Sequence, residues 1–219
     1  MSWLFDDDHR ALQERFGSRA LADRLEQGDL RDRLGEAERA FIETRDMFFL
    51  STIDGQGRPT VSYKGGGAGL VQAADERTLL FPSYDGNGMY LSMGNIAGRA
   101  EVGMLFIDFE TPRRLRVQGR AALTEDAAAL ARWPGAELAV AVVITGLWVN
   151  CPRYVHRYRR VEDSRYVPDA AGQAPLAGWK RIDDMQDVLP PGEAARARRE
   201  GLIDEEAWVA GVEAGDREA

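Results

Sequence analysis

The sequence predicts a mainly β fold: a small, mostly antiparallel barrel with peripheral helices and a helical N-terminal arm. Beyond about residue 46, short apolar and β-branched runs alternate with turns rich in Gly, Asp and Pro. This pattern is typical of strands joined by hairpins. The strands do not alternate with long helices, which disfavours a doubly wound parallel sheet. Residues 3–46 instead show a helical spacing of apolar side chains.

The N-terminal arm is the first predicted element. Asp6–Asp8 offer N-cap side chains and negative charge at a helix start. Leu12, Phe16 and Leu21 then recur at roughly helical spacing. Because an amphipathic helix must bury its apolar face, we expect this face to pack on the barrel or across a dimer.

The strand signatures begin at MFFLSTI (47–53), and the following DGQGRP predicts a hairpin turn. The run GGGAG (65–69) fits either a bulge in a strand or a place where a ligand approaches closely. A short helix is predicted over 126–132. The other predicted strands are PTVSY, two short runs on either side of 75–77, and the runs 102–109, 113–123 and 139–149.

Three regions are predicted along the chain. A helical arm covers residues 1–40, and the barrel covers 41–165. A C-terminal extension covers 166–219 and ends in a peripheral helix or a tail, because the strand pattern weakens after residue 151.

Composition narrows the classes of function. Hydrophobic residues make up 44% of the chain and charged residues 29%, as in an ordinary globular protein. The net charge of −8 and a pI near 5.0 argue against nucleic acid or an anionic membrane as the main partner. Cys151 is the only cysteine, and no Cys/His spacing resembles a metal site. With no signal-peptide pattern and no apolar run of about 20 residues, we expect a cytoplasmic protein.

The stretch FPSYDGNGMYLSMGN (81–95) leads from a predicted strand into a predicted helix. A helix start offers free backbone N–H groups and partial positive charge, so phosphate binds well there. The glycines would let the backbone approach a ligand, and Asn87 and Ser92 could add hydrogen bonds. Alternatively, Asp85 and Asn87 cap the helix and the glycines only form the turn.

Other candidate residues are less specific. The sequence has no GxSxG motif, and its only histidines are His9 and His156, so a Ser-His-Asp hydrolase is disfavoured. The arginines of 153–160 and the pair Arg113–Arg114 could face an anion or lie on a solvated strand edge. Trp148 could be a packing residue or an aromatic wall for a planar cofactor.

Four segments within residues 40–160 stand in a fixed order. They are RDMFFLSTIDGQGRPTVSYKGGGAG, LLFPSYDGNGMYLSMGNI, VGMLFIDFETPRRLRVQGRA and LWVNCPRYVHR. Together they resemble the flavin-nucleotide-binding branch of the pyridoxamine 5'-phosphate oxidase-like family, the FMN-binding split barrels. This resemblance implies a six-stranded antiparallel split barrel that forms a homodimer with two FMN sites at the subunit interface.

The resemblance also implies which residues bind FMN. Val61–Lys64 would lie along the flavin, and Phe81–Pro82 would continue this wall. Asn87–Gly88 would stand where many relatives present an Arg-Lys pair to the FMN phosphate. The complete implied set is Val61, Ser62, Tyr63, Lys64, Phe81, Pro82, Asn87, Gly88, Met89, Ser92, Arg113, Arg114, Trp148, Asn150 and Arg153.

Some members of this set would act near the flavin ring or from the other subunit. Arg114 would lie near the ring, and Trp148, Asn150 and Arg153 would reach the site from the partner subunit. Because the flavin carries the redox chemistry, no side chain is required as an acid or base, and we assign no catalytic residue.

Two departures from the family pattern bear on function. Without the two cations at 87–88, Lys64, Arg113 or backbone N–H groups must supply the positive charge. The strict oxidase holds pyridoxamine phosphate with basic and His residues near its C-terminus, and no equivalent follows residue 165.

We therefore expect an FMN-dependent oxidoreductase of unknown substrate. One alternative is a non-catalytic module that binds, stores or senses flavin or haem, with His156 as the only axial ligand offered by the barrel region. Another is a deazaflavin-dependent reductase, which would need a larger and more basic groove.

Overall fold

An antiparallel sheet of seven strands dominates residues 2–163. These residues form the first of two units in the computed structural model, which describes residues 2–216; the second unit begins at Ser164. The strands are β1 (Met47–Ile53), β2 (Pro59–Gly65), β3 (Gln72–Ala73), β4 (Thr78–Tyr84), β5 (Glu101–Asp108), β6 (Arg113–Thr124) and β7 (Ala136–Asn150). The helices of this unit are α1 (Asp7–Arg15), α2 (Arg19–Asp29), α3 (Glu36–Glu43), α4 (Leu91–Gly98) and α5 (Ala127–Leu130).

The strands lie in the spatial order β2-β1-β5-β6-β7-β4-β3, and every neighbouring pair is antiparallel. The predicted mainly β, antiparallel class is therefore confirmed. The sheet has one strand more than the resemblance implies, because the two-residue β3 pairs with β4 at the edge of the sheet.

The sheet curls around an apolar core. The ring of Phe48 on β1 lies 5.1 Å from that of Phe81 on β4 and 5.4 Å from that of Phe106 on β5, measured between ring centroids. In sheet order β1 and β4 are separated by three strands, so this contact requires the sheet to close on itself. All three rings are fully buried. Phe41 and Ile42 of α3 pack in the same core.

Turn chemistry decides where β2 begins and ends. Between β1 and β2, the Asp54 carboxylate accepts the backbone N–H of Arg58 at 2.9 Å, which stabilises the predicted hairpin turn. At the other end, β2 stops at Gly65 and the N–H of Gly66 donates to the carbonyl of Asp46. The glycine run thus ends the strand instead of bulging within it.

The N-terminal arm consists of three helices, separated around residues 16–18 and 30–35. It contacts β7, because Arg31 and Leu147 form a backbone bridge and Trp3 lies where a side chain at Gly146 would project. The expected packing of its apolar face on the barrel is not found for most of this face. Five of its apolar side chains are at least half exposed: Trp3, Leu12, Phe16, Leu21 and Leu25.

The second unit is helical in its described residues, 164–216. Its elements are two short 3-10 helices (Gly178–Arg181 and Asp183–Met185), α6 (Pro191–Glu200) and α7 (Glu205–Ala214). The buried Lys180 forms an ion pair with Glu193, which fixes α6 against the first 3-10 helix. Across residues 2–216, no helix is both long enough and apolar enough to cross a membrane.

Strands β6 and β7 approach each other closely at Gly119. A methyl group there would lie 2.5 Å from Cγ1 of Val142 and 2.7 Å from the carbonyl oxygen of Val143. Because the ladder would have to shift, we expect Gly119→Ala to lower the free energy of unfolding by about 1–3 kcal/mol, measured by urea denaturation. The control is Gly103→Ala, whose methyl group would meet Ser51 at an ordinary 3.7 Å. Equal losses in the two variants would contradict this expectation.

Candidate functional site

A cavity of about 270 Å³ lies between β2, the end of β4 and the start of α4. Its lining residues are Ser62, Lys64, Ser83, Tyr84, Gly86, Asn87, Gly88, Met89, Tyr90, Leu91, Ser92 and Met93. Six residues of the set implied by sequence are brought together here: Ser62, Lys64, Asn87, Gly88, Met89 and Ser92.

The alternation of side chains along β2 decides which of its residues reach the cavity. Ser62 and Lys64 are partly buried and line it. Val61 and Tyr63 point to the opposite face, where they are mostly exposed. The sequence-based set named all four residues, and the structure divides them between the two faces of the strand.

Helix α4 begins at the cavity without a side-chain cap. Its N-cap residue is Tyr90, in the left-handed conformation with φ 46°, and the Tyr90 side chain makes no capping hydrogen bond. Asn87 Oδ1 accepts the N–H of Met89 at 3.1 Å, so it stabilises the preceding turn. Asn87 therefore stabilises the turn and is not the N-cap residue, and the binding of an anion at this segment stays a prediction. The first turn, with Leu91 and Ser92, lines the cavity.

Six lining residues lie outside the set implied by the sequence: Ser83, Tyr84, Gly86, Tyr90, Leu91 and Met93. Ser83 and Tyr84 end β4, directly before DGNG, and burial raises the pKa of Tyr84. Their position directly before that glycine-rich turn could have indicated that they line the site. The Tyr90 hydroxyl donates a hydrogen bond to Oε2 of Glu137 at 2.8 Å, and this bond connects the loop before α4 to β7. Because Glu137 is 47 residues away in sequence, no local pattern indicates this contact.

The polar groups of the cavity suit an anion. The hydroxyls of Ser62 and Ser92 lie 3.1 Å apart and link β2 to α4. The ammonium of Lys64 has no hydrogen bond or ion pair to any residue within 2–216, and burial lowers the pKa of this group below its usual value of 10.5. An anion placed between Lys64 and the start of α4 would receive a charge-assisted contact and backbone N–H donors.

Phe81 and Pro82 lie outside the cavity lining. Phe81 is fully buried and its ring contacts Phe48, so the side chain faces the core and only its backbone could face a ligand. Pro82 is also buried and pairs with Ala139 of β7. The side chains of these two residues therefore form no part of the cavity lining, and their position beside a flavin stays a prediction.

A second group of implied residues lies where β6 begins and β7 ends, outside the cavity lining. Arg114 stands directly opposite Asn150 in the β6–β7 ladder, and its guanidinium donates to the carbonyl of Cys151. Arg114 Nε and Asn150 Oδ1 are both buried, and neither has a hydrogen-bond partner in the part of the chain that the structure describes.

The remaining implied residues flank this group. Arg113 places its guanidinium 4.8 Å from the ring centroid of Phe41, which is a cation–π contact within the barrel. Trp148 is half-buried on β7, and Arg153 is exposed. His156 is also exposed, and it does not line the cavity.

Residues 34–163 match the profile of the family described as pyridoxamine 5'-phosphate oxidase. No curated protein sequence matched the chain. Among solved structures, it resembles a candidate pyridoxamine 5'-phosphate oxidase from Lactobacillus delbrueckii, at 22% identity over 54% of this chain and 95% of that chain, with a TM-score of 0.44. It also resembles HupZ from Group A Streptococcus (14% identity; 57% and 99% covered; TM-score 0.44) and an F420 reductase (20% identity; 52% and 98% covered; TM-score 0.39).

Lys64 should carry a stability cost that the variant Lys64→Met removes. Because burial disfavours its charged form and no partner in residues 2–216 compensates, we expect the variant to gain up to about 1 kcal/mol at pH 7, allowing for partial exposure. The pKa of Lys64 is lower in the folded than in the unfolded chain, so the cost is complete below the folded pKa. It fades as pH rises towards 10.5.

Urea denaturation at pH 7 and near pH 10 measures this difference. The control is Arg58→Met, which removes an exposed cation paired with Asp54 and should give no such gain. A Lys64→Met protein that is less stable than the wild type at pH 7 would show that the ammonium is compensated.

Proposed function

Because the chain belongs to the pyridoxamine 5'-phosphate oxidase family, we propose that it binds FMN and acts as a flavin-dependent oxidoreductase whose substrate is unidentified. The observation that carries this proposal is the convergence of Lys64, Ser62, Ser92 and the uncapped start of α4 on one cavity. These groups offer a cation, two hydroxyls and backbone N–H donors, which suit a phosphate group. In this proposal the FMN phosphate binds in the cavity.

Neutral donors would carry much of the phosphate binding. Among the described residues, the cavity lining contains one cationic side chain, that of Lys64. Asn87 and Gly88, which replace the cation pair of many relatives, contribute an uncharged loop. Gly88 has φ 73°, a conformation that favours glycine and exposes the backbone to a close ligand. Backbone N–H groups and the two serines therefore complete the contacts that Lys64 begins.

The flavin ring would lie along β2. This strand is at the edge of the sheet, so one side of its backbone has N–H and C=O groups with no neighbouring strand. Such groups match the donors and acceptors on a flavin ring. On its exposed face, Val61 and Tyr63 offer apolar area, and the ring of Phe49 supports that of Tyr63 at 6.1 Å. When bound, FMN would supply hydride or electron transfer, while these residues bind and orient it.

In this proposal the protein forms a homodimer, and its FMN sites lie at the subunit interface. The buried and unpartnered Arg114 Nε and Asn150 Oδ1 support this proposal. Buried polar atoms in native proteins are nearly always hydrogen-bonded, so a second copy or its cofactor would complete them. Trp148 and Arg153, at the same end of the sheet, would then act in the neighbouring site.

A non-catalytic flavin-binding module is the second candidate. The titratable side chains in the described cavity lining are Lys64, Tyr84 and Tyr90. These lining residues include no carboxylate or imidazole that could act as an acid or base near neutral pH. Such a lining fits a binding module, and it also fits an oxidoreductase in which the flavin alone carries the chemistry. A haem module has weaker support, because the exposed His156 stands outside the lining.

FMN binding is expected to depend on Lys64. The purified protein should be yellow or quench added FMN fluorescence, and Lys64→Met should weaken FMN binding by about 1–3 kcal/mol, as loss of a charge-assisted contact does. Arg58→Met should bind FMN like the wild type, and riboflavin should bind both variants alike. Because the pKa of Lys64 is lowered, FMN affinity should fall as pH rises through that pKa. A wild-type protein that neither contains nor binds FMN would defeat the proposal.

Anaerobic reduction separates the oxidoreductase from the binding module. An oxidoreductase should show bleaching of the bound flavin by NADH or NADPH, since hydride transfer to flavin needs no protein acid or base. The absorbance near the flavin maximum is the readout, and dithionite serves as the positive control. If dithionite reduces the bound flavin but neither NADH nor NADPH does, the non-catalytic binding module is favoured.

A further inference from the structure

A buried polar cluster joins helix α4 to the sheet below it. Thr52 is 1% exposed and Asn95 is 9% exposed, although both lie among apolar core residues. The hydroxyls of Thr52 and Thr60 lie 2.9 Å apart, directly opposite each other in the β1–β2 ladder. Asn95 donates its side-chain N–H groups to Thr52 Oγ1 at 3.0 Å and to Thr60 Oγ1 at 3.5 Å. The cluster therefore connects one residue of α4 to two neighbouring strands.

This cluster and the cavity share the same two surfaces. Along β2, Thr60, Ser62 and Lys64 alternate with exposed residues and so lie on one face. Along α4, Ser92 and Asn95 are three residues apart and lie on one side of the helix. Asn95 meets Thr60, and Ser92 meets Ser62 at 3.1 Å. Two polar contacts thus fix α4 to β2. Lys64 is the next residue on the same face of β2, and it lines the cavity.

Apart from Asn95 and Ser92, α4 has a directional contact at its N-cap residue, where the Tyr90 hydroxyl donates to Glu137 of β7. The helix has eight residues, includes Gly94 and Gly98, and begins without a side-chain cap. Met93 and Ile96 bury apolar surface, but such contacts are not directional and tolerate a small slide or rotation. The amide of Asn95 is directional, because a buried donor displaced from its acceptors would be costly.

We infer that Asn95 is a positioning residue for the phosphate-binding end of the cavity. This inference rests on the proposed function, in which the cavity receives the FMN phosphate. By holding α4 against Thr52 and Thr60, Asn95 keeps Ser92 and the first-turn N–H groups opposite Ser62 and Lys64. Its contribution is to the placement of donors, and it does not itself line the cavity.

The test compares ligands with and without phosphate. Asn95→Leu keeps the size of the side chain and removes the amide. We expect FMN binding to weaken by about tenfold, because hydrogen bonds to phosphate are lost when donors shift by a fraction of an ångström. Riboflavin binding should stay within about twofold, since riboflavin lacks the phosphate. Thr60→Val removes the weaker acceptor of Asn95 and the contact between the hydroxyls of Thr60 and Thr52, but it leaves the 3.0 Å bond from Asn95 to Thr52. It should therefore lower FMN affinity in the same direction by a smaller factor.

Ile96→Val is the matched control. It trims a buried apolar side chain on the same helix, next to Asn95, and leaves the polar cluster intact. It should lower the thermal midpoint without changing the ratio of FMN to riboflavin affinity. Fluorescence quenching gives both affinities, and inorganic phosphate gives a third measure through its protection of the protein against thermal unfolding.

The outcomes separate the two proposals. The positioning role is supported if the wild type prefers FMN to riboflavin and Asn95→Leu reduces this preference. Where Asn95→Leu does not fold, a smaller reduction of the preference in Thr60→Val supports the role. If the preference is unchanged, or if both ligands weaken equally, the positioning role alone is overturned. If phosphate protects the wild type but FMN does not bind, the role of Asn95 is judged on phosphate and the FMN proposal fails. If neither binds, both fail.

Discussion

The ring of Phe48 closes the barrel, and the position of the cavity depends on this closure. Phe48 contacts Phe81 although β5, β6 and β7 lie between their strands in the sheet. Burial of these rings brings the end of β4 round towards β1. The chain leaving β4 therefore enters α4 above β1 and β2, where Asn95 reaches Thr52. The cavity between α4 and β2 is a consequence of core packing.

The edge strand β2 links core packing to ligand chemistry. Its period of two puts a polar row towards α4 and an apolar pair, Val61 and Tyr63, towards the outside. An edge strand also has unpaired backbone groups, which a protein normally protects with charge or cover. The half-buried Lys64 costs stability there unless it meets an anion. We therefore expect β2 to be more stable with an anion bound beside Lys64 than with the cavity empty.

The sequence was sufficient where structure is decided locally. Strand runs and the Asp54 hairpin follow from side-chain alternation and turn residues, and both are found. Prediction from the sequence failed where contacts between residues far apart in the chain determine the structure. The family resemblance implied that Phe81 belongs to a wall beside the ligand, yet barrel closure turns its ring inward. One of the two interpretations had Asp85 and Asn87 capping α4, but the helix begins after Tyr90, whose hydroxyl donates to Glu137. Asn95 was overlooked because its acceptors are 35 and 43 residues away.

The small number of cations in the cavity explains why placement matters in this chain. Attraction between ions falls off slowly with distance, so two cations beside a phosphate tolerate small shifts of the backbone. Hydrogen bonds from hydroxyls and backbone N–H groups weaken steeply when distance or angle changes. A cavity with Lys64 and otherwise neutral donors therefore depends on a rigid support. The buried contact of Asn95 with Thr52 and Thr60 is such a support, because it is directional and shielded from water.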